Sequence, residues 1–185
     1  MVLQIVRHQF TVKQFHQMAE SGILPENERV ELIRGEMIDM SPIGRRHAGC
    51  VNILVNLLIQ LLGKRIILAP QNPVELNETS EPQPDIALLK PRPDFYRNSH
   101  PQPEDIFLLI EVADTTVKYD REMKIPLYAE ANIPEVWLVD VNQEIIEVYR
   151  NSLEGIYQDV QKLTKNQILS TLAFPDVSIH LSELF

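Results

Sequence analysis

Charged residues stand in the middle of this chain where the surrounding pattern asks for apolar ones. Ile106 to Val112, read as IFLLIEV, is an apolar run of strand length, the signature of a strand covered on both faces, and Glu111 interrupts it near its end. Burying a carboxylate there costs several kcal/mol unless a cation, a metal or hydrogen-bond donors compensate it. Further on, Asp120, Lys124, Leu127, Tyr128 and Ala131 share one face at about 100° per residue, so an acid and a lysine sit in the apolar stripe of a predicted helix. Upstream, Asp85 opens the strand candidate 84–89, directly after a proline that fixes the entry geometry. If the Asp85 and Glu111 strands are antiparallel neighbours, the start of one lies beside the end of the other and the two carboxylates approach. Two unpaired acids in one pocket force one to keep its proton, a conflict that a divalent cation removes. Oxygen-only donors select a hard ion, Mg²⁺ or Mn²⁺, able to polarise a phosphoryl oxygen and acidify a bound water. Lys124 could orient that water or neutralise developing charge. These are the parts of a metal-dependent phosphodiester hydrolase. A plainer interpretation stays open, because Pro-Asp pairs are common and an Asp and a Lys four apart on a helix usually form a solvated ion pair.

The elements that must position these groups can be read along the chain. Residues 11–19 form a short helix with Thr11 as N-cap, and 29–40 form two short strands turning at Arg34-Gly35. Glu31 and Glu36 fit solvent-facing positions of that hairpin. The segment 47–62, HAGCVNILVNLLIQLL, is the longest helix and is apolar most of the way round. It is expected to pack under a sheet and to lend a face to a homodimer. His47 at its start suits a ligand or proton carrier, or simply a helix-end histidine bonded to backbone. Arg65 to Leu76 supplies one or two strands, RIILA and PVEL, and 90–104 is a long proline-containing loop of the kind that is often functional or mobile. Its Arg92 to Arg97 portion could reach a substrate, although Asp94 within it suits a solvated loop. Pro126 is comfortable only in a first helical turn, so the helix after Glu111 either starts near Lys124 or starts earlier and is kinked. A hairpin, 135–141 with 144–149, and a strand over 155–162 follow, and the tail ends on an apolar patch.

Composition narrows the classes. The chain has 185 residues, 44% of them hydrophobic, enough for one sizeable core, so a single domain over 1–185 is expected. Within it lie an N-terminal helix and hairpin to residue 44, a core over 45–150 and a C-terminal extension over 151–185. A net charge of −9 excludes a protein that coats nucleic acid non-specifically, since such binding is built from Lys and Arg. It leaves room for a local site where a metal meets phosphate. The single cysteine, Cys50, rules out an internal disulfide framework and suits a small buried side chain. The start of the chain lacks the pattern of a signal segment, and no run approaches the ~18 apolar residues of a membrane span, so a cytoplasmic protein without membrane contacts is expected.

Taken together, Pro84-Asp85, Glu111-Val112-Ala113, Asp120, Lys124, Tyr128 and the run Ile133-Pro134-Glu135-Val136-Trp137-Leu138-Val139-Asp140 resemble the Uma2 family (DUF820). The likeness extends from Glu31-Leu32-Ile33-Arg34-Gly35-Glu36 and Ser41-Pro42 to the closing Leu181-Ser182-Glu183-Leu184-Phe185. That family, abundant in cyanobacteria, is part of the PD-(D/E)XK superfamily of restriction-endonuclease-like nucleases. The resemblance implies an α/β fold of the α+β type, a central mixed β-sheet flanked by α-helices. It implies Asp85 and Glu111 as metal ligands, with the backbone carbonyl of Val112 as a third. The superfamily lysine two residues after the second acid is replaced here by Ala113, and the family places that lysine on the following helix, matching Lys124. Glu31 resembles an additional acidic position near the site, and His47 a histidine at the start of the long helix. Where many members carry a Leu-Ser-Pro-like stretch, this chain has Ala113-Asp114-Thr115, and Asp114 either joins the metal shell or caps the next helix.

The expected activity is therefore Mg²⁺- or Mn²⁺-dependent endonucleolytic cleavage of nucleic acid, with DNA as the expected partner. The alternative is a nuclease-like fold kept as a binding or assembly module without turnover. A phospho-accepting signalling domain is disfavoured, because the alternating strand-helix order of a doubly wound sheet is missing.

Overall fold

The computed structural model describes residues 7–25 and 27–185; the stretch Met1–Val6, on which the expectation of no signal segment partly rests, lies outside them. The chain opens with α1 (Val12–Glu20), whose first turn is closed by a reciprocal cap between Thr11 and Gln14. The hairpin β1 (Val30–Ile33) and β2 (Glu36–Asp39) follows, with Arg34 and Gly35 both at positive φ in its turn. Next come the long helix α2 (Arg45–Leu62), then β3 (Ile67–Pro70), β4 (Ile86–Leu89) and β5 (Ile106–Ala113).

Between β5 and the following strand runs a helical segment in three parts: a short α3 (Val117–Tyr119), a π-helical turn over Asp120–Lys124, and α4 (Ile125–Glu130). This resolves the ambiguity raised by Pro126. The helix starts well before the proline, and one wide turn, in which the Ile125 N–H donates to the carbonyl of Asp120, lets Pro126 sit at the start of α4. The chain closes with β6 (Glu135–Asp140), β7 (Ile145–Leu153), β8 (Ile156–Thr164) and a small ladder of β9 (Ile168–Leu169) with β10 (Ile179–His180).

Six strands form one mixed sheet in the order β3-β4-β5-β6-β7-β8, in which only β5 and β6 run parallel. The parallel pair is bridged by the π-containing helix, which must cross one face of the sheet to make that connection. On the opposite face, α2 and the C-terminal segment cover a core containing Leu88, Leu108, Ile110, Trp137 and Val139. On the helix-crossed face, Ala87, Leu109, Ala113, Val136 and Leu138 meet Leu127 and Tyr128. Because strand side chains alternate, Asp85 and Glu111 fall on the helix-crossed face together with Ala87 and Leu109. The expected mixed sheet between helices is what the chain forms.

Three expectations need correction. PVEL is not a strand: Val74 and Glu75 donate to the carbonyls of Pro82 and Pro101, which belong to loops. The second apolar side of α2 is covered only in part within the chain: Leu57 is buried, whereas Ile53, Ile59 and Leu61 are exposed. By length and composition alone, Arg45–Arg65 is long and apolar enough to cross a membrane, but its Val51, Leu54, Leu58 and Leu62 pack in the core. Cys50 is buried as expected, and desolvation pushes its thiol up to about 12.

Candidate active site

Register decides the heart of the site. Ile86 pairs with Ile110 in the antiparallel β4–β5 ladder, so Asp85 and Glu111 are the next residues out and stand opposite each other. The backbone there is tied to the side chain: the Val112 N–H donates to Asp85 Oδ2 at 2.8 Å. The π-turn carries Lys124 over this point. Its ammonium lies 3.2 Å from Glu111 and 3.2 Å from Glu31, and only 4% of the residue is exposed. Asp120, one turn earlier on the same face, is also buried and accepts from the Thr116 hydroxyl at 2.7 Å. A solvated Asp120–Lys124 pair is thus excluded.

Glu31 is the clearest correction to the hairpin reading. It is 3% exposed, because β1 does not join the main sheet and instead leans its inner face on the site. Its carboxylate accepts from Lys124, from the Gln83 backbone N–H at 3.1 Å and from the Tyr119 hydroxyl at 3.3 Å. Glu36, by contrast, is exposed as expected. His47 is not merely a helix-end residue bonded to backbone: its Nε2 lies 2.9 Å from Asp85 Oδ1, while its buried Nδ1 has no partner among the described residues.

The electrostatics follow from crowding. Burial drives the Glu111 carboxyl well above the ordinary carboxylate range, which Lys124 only partly offsets, while Asp120 and Asp85 push the same way. Burial likewise raises Asp120 to about 6. Burial alone would lower the Lys124 ammonium, but Glu111, Glu31, Asp120 and Asp85 outweigh it and hold the lysine charged. A hydrogen bond to Asp85 raises His47. The Tyr128 hydroxyl donates to Glu111 at 2.5 Å, and burial beside that carboxylate raises its own ionisation.

These groups border a cavity of about 690 Å³, whose lining also includes Val112, Asp114, Arg29 and Lys118. Asp114 does not cap the next helix, whose N-cap position is Thr116; its Oδ1 accepts from the Asn142 amide at 3.0 Å. Arg92, in the long loop, is bound to Asp94 and stacked 4.1 Å from the Tyr96 ring, so its charge is satisfied locally. Four carboxylates, Glu31, Asp85, Glu111 and Asp120, face one lysine and one histidine. That surplus of hard oxygen donors in a desolvated pocket fits the chemistry of a divalent cation.

Residues 12–182 match the family Uma2, described as "Putative restriction endonuclease". The chain belongs to the Uma2 family. Membership supports a nuclease function, and restriction-endonuclease-like families generally use divalent metals. A solved structure described as a putative nuclease belonging to DUF820, from Anabaena variabilis ATCC 29413, matches with a TM-score of 0.72 at 16% identity, over 95% of this chain and 97% of that one. At that identity the likeness establishes a shared fold. No curated protein matches the chain significantly.

Several residues of this Uma2 site escaped the sequence. Tyr119, Thr116 and the Gln83 backbone carry no periodic or motif signal. Arg121, whose guanidinium bonds Glu147 on β7 at 3.0 and 3.1 Å, anchors the π-turn to the sheet. Asp120 and Tyr128 did not escape it, since both share the predicted helical face of Lys124.

Proposed function

We propose that this Uma2 protein is an endonuclease that hydrolyses phosphodiester bonds in nucleic acid, with DNA as the substrate and Mg²⁺ or Mn²⁺ as the cofactor. Asp85, Glu111 and the Val112 carbonyl would hold the ion. When bound, such an ion polarises the scissile phosphate and lowers the pKa of a coordinated water. Lys124 is fixed by Glu31 and Glu111, close enough to steer the attacking water and to offset charge that builds on the phosphate. Glu31 and Tyr119 are positioning residues that hold the lysine, and His47 fixes the rotation of the Asp85 carboxylate. Arg29 and Lys118, at the cavity lining, offer cations to the flanking phosphates of a strand. The observation that carries this reading is the Lys124 ammonium within 3.2 Å of both Glu31 and Glu111, beside Asp85 in an acid-rich cavity.

The test is calorimetric titration of Mn²⁺ into the protein and into Asp85→Asn, followed by plasmid cleavage. Asparagine keeps an oxygen for the Val112 N–H, so the fold is retained while the charge goes. Binding of about one ion per chain that Asp85→Asn abolishes, together with cleavage lost in the variant, is expected. Equal Mn²⁺ binding or equal cleavage by Asp85→Asn would overturn it. A folded protein that neither binds Mn²⁺ nor cuts DNA or RNA would be the non-catalytic module instead. The uncovered apolar side of α2, with Ile53 and Ile59 outward, supports pairing of two copies there. Light scattering should then give twice the 21.3 kDa chain mass, falling to one chain in Ile53→Glu/Ile59→Glu.

A further inference from the structure

Away from the carboxylate cavity, three segments distant in sequence converge on a second set of metal-ligating side chains. His16 comes from α1, Glu81 from the segment before β4, and His100 from the long loop before β5. One ligand atom from each lies within 4.8 Å of the others, the only such His, Cys, Asp or Glu group of this kind found among the described residues. Glu81 is 4% exposed, and both its oxygens point at the same His16 Nε2, at 3.0 and 2.8 Å. A buried carboxylate has room for about four hydrogen-bond donors. Here one imidazole nitrogen is its sole side-chain partner among the described residues. The His100 ring stands edge-on to His16, with centroids 5.7 Å apart. Buried anions with so little compensation are costly, and the two nearest groups are both good metal ligands.

The backbone around the three side chains is held in place. Glu81 N–H donates to the Leu32 carbonyl on β1, Val12 N–H at the start of α1 donates to Glu78, and Glu75 N–H donates to Pro101, next to His100. The ligands are thus carried on tethered segments that need only side-chain adjustment to close on an ion. Bonds of about 2.0 to 2.2 Å bring tetrahedral ligand atoms closer together than 4.8 Å, which a turn of the partly exposed His100 ring supplies.

We infer that His16, Glu81 and His100 form a second metal site, built for Zn²⁺ or a similar borderline cation, which staples α1 and the long loop to the segment before β4. Two imidazoles and one carboxylate are a donor set of the Zn²⁺ class, unlike the all-oxygen set of the cavity. Three protein ligands leave a fourth position for water. A neighbouring cavity, lined by His16 together with Glu20, Glu75 and Glu78, supplies an acidic approach for a cation.

The experiment titrates Zn²⁺, with Co²⁺ as a spectroscopic probe, into Asp85→Asn, so that the carboxylate cavity does not dominate, and into Asp85→Asn carrying His100→Ala. His100 is partly exposed and carries no core packing, so its loss should leave the fold intact. Expected are one Zn²⁺ per chain in Asp85→Asn, visible tetrahedral Co²⁺ bands, and a Tm rise of roughly 5 to 10 °C at a hundredfold excess over Kd. His100→Ala should weaken Zn²⁺ at least tenfold and remove the Co²⁺ bands, with the metal-free Tm unchanged. Zn²⁺ binding that is absent, or equal with and without His100, would overturn the site and leave His16–Glu81 as a simple ion pair.

Discussion

Replacing Lys124 by Met tests whether one ammonium holds the acidic cavity together. The side chain is nearly isosteric, so the change is chiefly one of charge. Two carboxylates at 3.2 Å lose their common partner, and each contact is worth about 5 kcal/mol of gross attraction at an effective dielectric near 20. Most of that gross figure is cancelled by the desolvation of the lysine, which Met does not suffer. What remains is the burial of Glu31 and Glu111 without compensation, about 3 to 5 kcal/mol for a broken buried pair. Glu111 is already driven towards protonation by its burial, so it can take up a proton and keep the loss near the lower figure. For a chain of this length, about 3 kcal/mol corresponds to a fall in Tm of roughly 6 to 12 °C. Thermal unfolding at pH 7 followed by circular dichroism reads it directly. Added Mn²⁺ should return part of the loss, because a cation among the same oxygens substitutes for the missing charge. A fall below about 2 °C, or a rise, would refute the idea that Lys124 neutralises these acids.

Other perturbations probe the frame around the site. Glu135, fully buried, accepts from Arg150, from Trp137 Nε1 and from the Leu172 N–H. Glu135→Ala should cost about 3 to 5 kcal/mol, read from urea midpoints, and loosen the C-terminal segment to proteolysis. Glu147, despite the burial that opposes it, is held down to about 2 by Arg121, Lys162 and Tyr149. A lowered carboxylate contributes stability above its ordinary value near 4.5 and loses it as the pH falls towards 2. The advantage of the wild type over Glu147→Gln should therefore be about 2 kcal/mol at pH 7, after discounting for the exposed basic partners, and vanish by pH 2 in urea titrations. In Gly35→Ala the new Cβ would meet Gln9 Cβ at 2.6 Å from a backbone at φ +77°, so a loss exceeding 1 kcal/mol is expected in the same assay.

Much of the fold was legible because it is written in local patterns. The cap at Thr11, the turn at Arg34-Gly35, the double-faced strand through Glu111 and the β6–β7 hairpin each announce themselves within a dozen residues. What the sequence concealed is long-range. Glu31 looks like an outward hairpin position because period-2 alternation describes a strand and not what is laid against it. The hairpin stands apart from the main sheet, and the π-turn supplies the second wall. His47 was hidden likewise, since its partner Asp85 is 38 residues away in the chain. The π-turn itself leaves only an indirect trace, a proline in what is otherwise helix.

Misplaced charge was the strongest pointer to the site, yet it does not discriminate by itself. Glu135 and Glu147 are as buried as Glu111 and also lie on strands. The difference lies in how each charge is answered. Glu135 meets an arginine, an indole and a backbone N–H, and Glu147 meets an arginine, a lysine and a tyrosine. Such carboxylates are locked into structure and have nothing left to bind a ligand. In the cavity the acids outnumber the cations: Asp85 shares its oxygens between a backbone N–H and His47, Asp120 has a threonine hydroxyl, and Glu31 and Glu111, beyond the neutral donors Gln83 N–H, Tyr119 and Tyr128, divide a single lysine. An excess of carboxylates over cations, in a cavity open to solvent, is an environment that favours a cation. A similar shortage of cations, on a smaller scale, marks Glu81 between His16 and His100, where imidazole in place of further carboxylates changes the ion that such a donor set prefers.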